Sequence, residues 1–450
     1  MSRAPAVRNY FGDIVSHPKV VVEATTVEDI VRVLRDPVRY PSPVRAAGSN
    51  HSATPCAVAE GGTLIKMRMN RILRIGPDTM TVEAGAELLD MARALERQNL
   101  QFFVNPEIGK LTAGSAACAG TKDASMPGEF GQVGSYVIGV KMVVASGEVL
   151  EVTEDRQPEL MQKVRSSYGT FGVIYEVTFR VHAIRALQVH HETFRLDQFV
   201  RALPELKQRN ASMMYYLFPH ADRITVEFKK YNPQASGKPN RRIWRGRNRL
   251  WRTHGAALTW GIEKYVSPPS LRYAIVDGLN RVCRLWMVHQ LKSDHTLAAD
   301  EIIDYPPVSD RGFTFSLFGF PEDRYPTVLA DYFRFSVDYY RERHYRTNMV
   351  DVGYSVSKDQ QSLLSYSYEG DVMTLDPVST GNRGWKEFLV AFNQFCSDRN
   401  GVPLLNQTFG VTRKMAEKAF GARLAVMAET RRTFDPDGRL LNDYFRELFG

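Results

Sequence analysis

The sequence predicts an α+β protein built in two parts. Three observations carry this. The chain has 450 residues, long for a single core. Short β-prone runs alternate with helical stretches up to residue 183. From residue 184 to about 405, strand-like runs alternate with longer helical stretches instead. Apolar residues at 44% and charged residues at 24% belong to a globular chain.

The elements follow in order. KVVVEA (19–24) is a β-rich run. Thr26, with Asp29 three residues on, opens a helix whose apolar positions include Ile30, Val31 and Leu34; Asp36-Pro37 stops it. VRAA (44–47), TLIKM (63–67), RILRI (71–75) and TMTVEA (79–84) are short strands. AELLDMARALERQN (86–99) is a helix with Leu88, Met91, Ala92 and Leu95 on one stripe. YVIGVKMVVASGEVLEV (136–152) is two strands around a Ser-Gly turn, and GVIYEVTFRV (172–181) another. In the middle part, FTFSLFGF (313–320), MVDVGYSVS (349–357) and LLSYSYEGDVMTLD (363–376) are expected as strands. Helices are expected around 323–343 and over 385–398. The tail carries a helix-breaking F-D-P-D-G turn. A sheet covered by helices on one face, with the other face free to wall a cavity, is the expected middle part.

Charge and cysteines narrow the class. Lys plus Arg number 58 against 50 Asp plus Glu, and a net +8 on this length calls for no nucleic-acid partner. Four cysteines without a C-x-x-C pair suggest neither a zinc site nor a redox dithiol; a reducing, cytoplasmic setting is expected. The N-terminus lacks an apolar core of signal-peptide length, and no apolar run reaches spanning length.

Two segments carry the chemistry. The strand VRAA runs into GSNHSATP (48–55), whose small residues let backbone N–H groups approach a phosphate. TAGSAACAGT (112–121) is a second small-residue stretch, and two such loops can grip a pyrophosphate. Ordinary Gly/Ser turns are the plainer reading. G-x-G-x-x-G, the P-loop, H-E-x-x-H and G-x-S-x-G are all absent, which disfavours nicotinamide Rossmann, P-loop and those hydrolase classes.

Seven segments in order resemble the vanillyl-alcohol oxidase (PCMH-type) FAD-binding flavoproteins, nearest the aldonolactone and alditol oxidases. They are RAAGSNHS (45–52), TLIKMRMNRIL (63–73), TVEAGAEL (81–88), TAGSAACAGT (112–121), YVIGVKMVVASGEVLEV (136–152), GTFGVIYEVTFRV (169–181) and FDPDGRLLNDY (434–444). The resemblance implies an FAD-binding domain over 1–183, an antiparallel-sheet-plus-helices substrate (cap) domain over 184–405, and a C-terminal segment, 406–450, returning to the FAD domain. It implies that Ala47, Gly48, Ser49, Asn50, His51 and Ser52 wrap the cofactor. Thr112, Gly114, Ser115, Cys118 and Thr121 would line its other side, and Val173 and Ile174 would touch it through backbone atoms. In many members the His of this loop is bonded to the flavin 8-methyl group, so covalent attachment through His51 is expected; a lone structural histidine is the plainer reading. No metal is expected.

Departures from the family are equally specific. The family's H-W-G-K motif falls on L-L-N-Q (404–407), so Gln407 stands where a Lys is usual. The family's E-x-R strand element falls on Gly353 and Ser355. Without that clamp, Tyr354, Tyr366 and Tyr368 would give a more aromatic wall. Asn406, Gln407, Tyr366 and Tyr368 are the catalytic candidates by position. RRIWRGRNRLWR (241–252) holds six arginines and two tryptophans without an acid, a pattern suited to a membrane interface or to a plain basic surface helix.

The expectation is an FAD-dependent oxidase or dehydrogenase. It takes hydride from a C–H beside an alcohol or amine, with oxygen or another electron acceptor and a hydrophobic, lipid- or terpenoid-like small-molecule substrate. The alternatives are an aldonolactone or sugar-alcohol oxidase, a reductase of a lipid double bond, and a non-catalytic flavin-binding protein at a membrane. Peripheral membrane contact through 241–276 is an accompanying expectation.

Overall fold

The β-prone runs of the first part assemble into two sheets. A computed structural model describes residues 6–306 and 312–450; residues 1–5 and 307–311, inside the expected first and middle domains, lie outside the described residues. Val20–Ala24, Thr63–Met67 and Val44–Ala47 form a parallel sheet with Thr63–Met67 in the centre. Val149–Thr153, Val137–Val143, Val173–Arg180, Thr79–Glu83 and Ile72–Ile75 form an antiparallel sheet in that order. The helix Val27–Arg35 starts at Thr26 with a full capping box to Asp29 and buries Ile30, Val33 and Leu34. Leu88–Arg97 buries Leu88, Met91, Ala92 and Leu95, the stripe its spacing predicts.

The middle part is one eight-stranded antiparallel sheet. Its order is Ser293–Thr296, Leu187–Phe194, Arg223–Tyr231, Ser212–Phe218, Asp351–Val356, Val372–Leu375, Phe318–Pro321, Val402–Pro403. Alternation along Ser212–Phe218 sorts its two faces. Met213, Tyr215 and Leu217 join a core with Phe199, Tyr325, Tyr332, Phe388 and Phe392 from the helices Leu196–Gln208, Tyr325–Arg343 and Trp385–Asp398. Met214 and Tyr216 face the other way, into a cavity.

Two strand expectations are corrected. FTFSLFGF is not one strand: Thr314–Phe315 pairs with Val378–Ser379 in a small sheet, and Phe318–Pro321 joins the large one. Of 363–376, only Val372–Leu375 is a strand; 363–371 forms turns, tied by bonds such as Ser365 N–H to Ser362 O at 3.1 Å. Hydroxyl and Gly-rich SYSYEG favours such local turns over a ladder.

The C-terminal residues sew onto the N-terminal part. Val44 N–H donates to Arg439 O at 2.9 Å, and Arg45 donates to Leu440 O at 2.7 Å and Tyr168 O at 2.5 Å. Phe445, Leu448 and Phe449 share a core with Met80, Val82 and Ala117. No helix among the described residues is long and apolar enough to cross a membrane.

Candidate active site

A cavity of about 310 Å³ lies between the small-residue loops and the free face of the large sheet. Gly48 ends the strand Val44–Ala47 and meets the second loop directly: a Cβ there would overlap Thr112 Oγ1. Gly114 lies in the first turn of the helix Ala113–Cys118, where a Cβ would sit 2.9 Å from Ala84 Cβ. Only glycine permits either approach. Asn50 turns the first loop with φ 55°, and Ser49 Oγ donates to Lys110 O. Thr121 Oγ1 accepts from Val133 N–H at 2.8 Å.

Residues 404–407 close this end. Ala53 N–H donates to Asn406 O at 3.0 Å, and Asn406 Nδ2 donates to Gly120 O at 3.0 Å. The side-chain oxygens of Asn406 and Gln407 are buried on the cavity without a partner. His51 is likewise unpartnered at both ring nitrogens, with Tyr10 stacked on it at 4.3 Å. Burial, and then the nearby Lys110 charge, pull His51 down to about 4, so its ring is neutral at pH 7. A neutral imidazole with no hydrogen bond keeps a free nitrogen lone pair, and His51 lines the cavity. Two glycine-dependent loop contacts and three unpartnered polar side chains fit a large polar group such as FAD.

The expected cofactor residues Ala47 to Ser52, Thr112, Gly114, Ser115, Cys118, Thr121 and Ile174 all line this cavity. Val173 does not; it pairs with Val143 and packs with Ile65 and Tyr175 on the opposite side of its strand. Cys118 donates to Gly114 O at 3.2 Å, and burial pushes its thiol up to about 11, which removes it as a thiolate.

The catalytic candidates divide. Asn406 and Gln407 line the cavity; Tyr366 and Tyr368 do not. Both tyrosines lie in the turn segment. Tyr366 is buried in a neighbouring core, and Tyr368 lies under the Arg423 guanidinium at 4.3 Å. The clamp register is also corrected. Val350, Val352 and Tyr354 face the cavity, whereas a Cβ on Gly353 would strike the Tyr215 ring on the helix side. Residues of opposite parity on a strand lie on opposite faces, so Gly353 and Ser355 are off the cavity wall.

Charge reaches the cavity from elsewhere. Lys122 forms a buried ion pair with Asp376 and lies over the Phe315 ring at 3.9 Å. Asp376 is held by a double backbone bond to Val352, 2.9 Å each way, and its Oδ1 is buried and unpartnered. Burial works against the Lys122 ammonium; the touching carboxylate favours it. Lys229 bonds Glu301 at 2.6 Å and Glu227 at 3.1 Å, and Glu227 bonds His191 Nε2 at 3.0 Å. Asp123 lines the same region, and burial raises its carboxyl to about 6. Sequence reasoning missed these groups. Lys122 and Asp123 directly follow Thr121, and Glu227 and Lys229 alternate within an apolar strand; both were available signals.

The basic segment 241–252 packs both of its tryptophans into the protein. Trp244 is buried and donates to Thr296 Oγ1 at 2.8 Å, and Trp251 lines the cavity. Arg247 is buried against Glu107. These tryptophans face inward and do not form an interface belt.

Known proteins share the fold and the N-terminal region of this chain. Residues 18–153 match the family described as FAD binding domain. L-gulono-1,4-lactone dehydrogenase of Mycobacterium tuberculosis is 23% identical over 99% of this chain and 100% of its own length. L-gulonolactone oxidase of Bos taurus is 24% identical over 96% and 95%. Among solved structures, a solvent-stable cholesterol oxidase superposes with a TM-score of 0.73 at 14% identity, covering 99% of this chain and 97% of that one. Cholesterol oxidase from B. sterolicum gives 0.71 at 16%, covering 99% and 96%. The two-part fold, the glycine-dependent loops and the FAD-binding match over residues 18–153 converge: this chain is an FAD-dependent oxidoreductase, similar along nearly its whole length to the lactone oxidase and dehydrogenase named above.

Proposed function

We propose that the protein oxidises a hydroxyl-bearing carbon of a cyclic polyhydroxylated substrate of the aldonolactone class. The observation that carries this reading is the buried Lys122–Asp376 pair on the cavity wall, with Asp376 Oδ1 left without a donor. A buried acceptor without a partner costs about 1–3 kcal/mol, which a substrate hydroxyl recovers and an apolar group does not.

FAD held by the small-residue loops would supply the hydride acceptor for the substrate C–H. The chain's own residues bind and orient the substrate. Asp376 Oδ1 accepts the hydrogen bond of the reacting hydroxyl and takes its proton. Lys122 bonds the other oxygen, Oδ2, and so holds the carboxyl group in place. The Phe315 and Tyr354 rings exclude water from this point. Asn406 and Gln407 offer amide oxygens at the other wall. Residues 1–183 with 406–450 serve the cofactor and 184–405 the substrate, with Lys122, Asn406 and Gln407 reaching the substrate wall from the cofactor part. His51, neutral and unpartnered, is the residue we assign to covalent flavin attachment.

A second reading, a bulkier apolar alcohol, draws support from Trp251, Phe313, Met214 and Val352 on the same cavity. Anaerobic mixing with aldonolactones and with apolar cyclic alcohols separates the two. Bleaching of the flavin absorbance by lactones supports the first reading. Bleaching only by apolar alcohols replaces it with the second.

A further inference from the structure

Residues 232–292 leave the large sheet between Arg223–Tyr231 and Ser293–Thr296 as a helical excursion. It contains the helices Arg241–Leu250, Ala256–Tyr265 and Pro269–Gln290, with a π turn over Trp251–Gly255. Two properties concentrate there. Ten Lys and Arg and two Asp and Glu fall within 241–290, so this segment carries the whole formal excess of +8 and the remaining chain is neutral. Among the described residues, seven of the fourteen exposed large apolar side chains are also there.

The excursion has an inner and an outer side. Inward, Arg241 pairs with Glu96, Arg247 with Glu107 and Arg252 with Asp304, and Trp251, Gly255 and Ala256 wall the cavity. Outward, Arg242, Arg245 and Arg281 are exposed and pair with no acid among the described residues. On the last helix, Leu271, Ala274, Gly278, Val282 and Leu285 recur at three- and four-residue spacing along an exposed stripe; Val282 is 65% exposed. Tyr265, 77% exposed, lies just before that helix.

We infer that this outer side is a docking surface for an anionic lipid bilayer. Exposed apolar side chains and unpaired arginines carried by one excursion, with Arg281 next to Val282, suit insertion at the headgroup boundary with attraction to acidic lipid. A second copy is the poorer occupant, because a two-fold contact would set a surface of strong positive charge against itself. Nucleic acid would leave the apolar stripe uncovered. No helix among the described residues is built to span, so the contact is peripheral. Because the same excursion walls the cavity, docking sets the substrate chamber beside the membrane.

The test is flotation of the full FAD-loaded chain with phosphatidylcholine vesicles, with and without phosphatidylserine. The chain is expected to float with the phosphatidylserine vesicles, and raised salt should weaken this. Arg242→Gln, Arg245→Gln and Arg281→Gln should each lower partitioning on the order of fivefold. Val282→Asp with Leu285→Asp should abolish it, with the flavin spectrum and far-UV circular dichroism unchanged. Absence of flotation, or full flotation of the aspartate variant, overturns the inference. So does a dimer in sedimentation velocity that the same substitutions dissociate, which assigns the face to a second copy. No outcome depends on turnover, so the proposed substrate class stands or falls separately.

Discussion

Lys122 and Asp376 lie 254 residues apart in sequence and form a buried ion pair on one cavity wall. One comes from the loop after the small-residue helix, the other from the residue after a strand of the large sheet. The pair therefore joins the small-residue loops to the large sheet.

If Asp376 takes the hydroxyl proton, Asp376→Asn should lower kcat/KM by about 10²-fold or more while flavin content holds. Lys122→Met should cost several kcal/mol of stability, about 3–5, because it leaves a buried carboxylate alone. Lys122→Met with Asp376→Leu should recover much of that. Urea unfolding and steady-state kinetics on the three proteins check both parts.

Covalent attachment is read in one gel. Wild-type protein should keep its flavin fluorescence after acid precipitation. His51→Ala should release it, with no mass increase matching FAD. Complete release from wild type would leave FAD binding intact and remove the covalent bond.

Gly48→Ala should reduce bound flavin and lower stability by about 1–3 kcal/mol, since the new methyl meets Thr112. Adding Thr112→Ala removes that neighbour and should restore part of both. Flavin absorbance per protein and thermal unfolding report the two effects.

His220 sets a pH dependence away from the cofactor. Its Nε2 is buried and unpartnered, and burial, then Arg346, lower it from 6.5 to about 3. The unfolded chain takes up this proton near pH 6.5 and the folded chain resists it until about pH 3. Its stabilising contribution is therefore full above pH 6.5 and falls away as pH drops toward 3, by on the order of 2 kcal/mol after solvent screening. His220→Phe should flatten that slope in denaturant titrations between these pH values.

The strand register makes its own prediction. Tyr366→Phe and Tyr368→Phe should leave kcat/KM within about twofold, being off the cavity, whereas truncating Tyr354 to Ala should raise KM. An equal loss from Tyr366→Phe would contradict the placement of that turn.

Much of the first part was legible in the residues themselves. Thr26 and Asp29 cap their helix because capping needs only three residues of separation, and Leu88, Met91, Ala92 and Leu95 are buried because one helix face is enough to specify them. The small-residue loops around Gly48, His51 and Gly114 were readable for the same reason: close backbone approach demands glycine locally. Tertiary structure decided the rest. Whether Val352 or Gly353 faces the cavity depends on pairing with Ser212–Phe218, and parity cannot be read from one strand. The turns at 363–371 and the inward tryptophans depend on what packs over them. The charges at Lys122, Asp376, Lys229 and Glu301 were visible singly, but their pairing is a consequence of long-range topology. Local propensity reaches a few residues, while burial and ion pairing are set by chain segments that meet only in the fold.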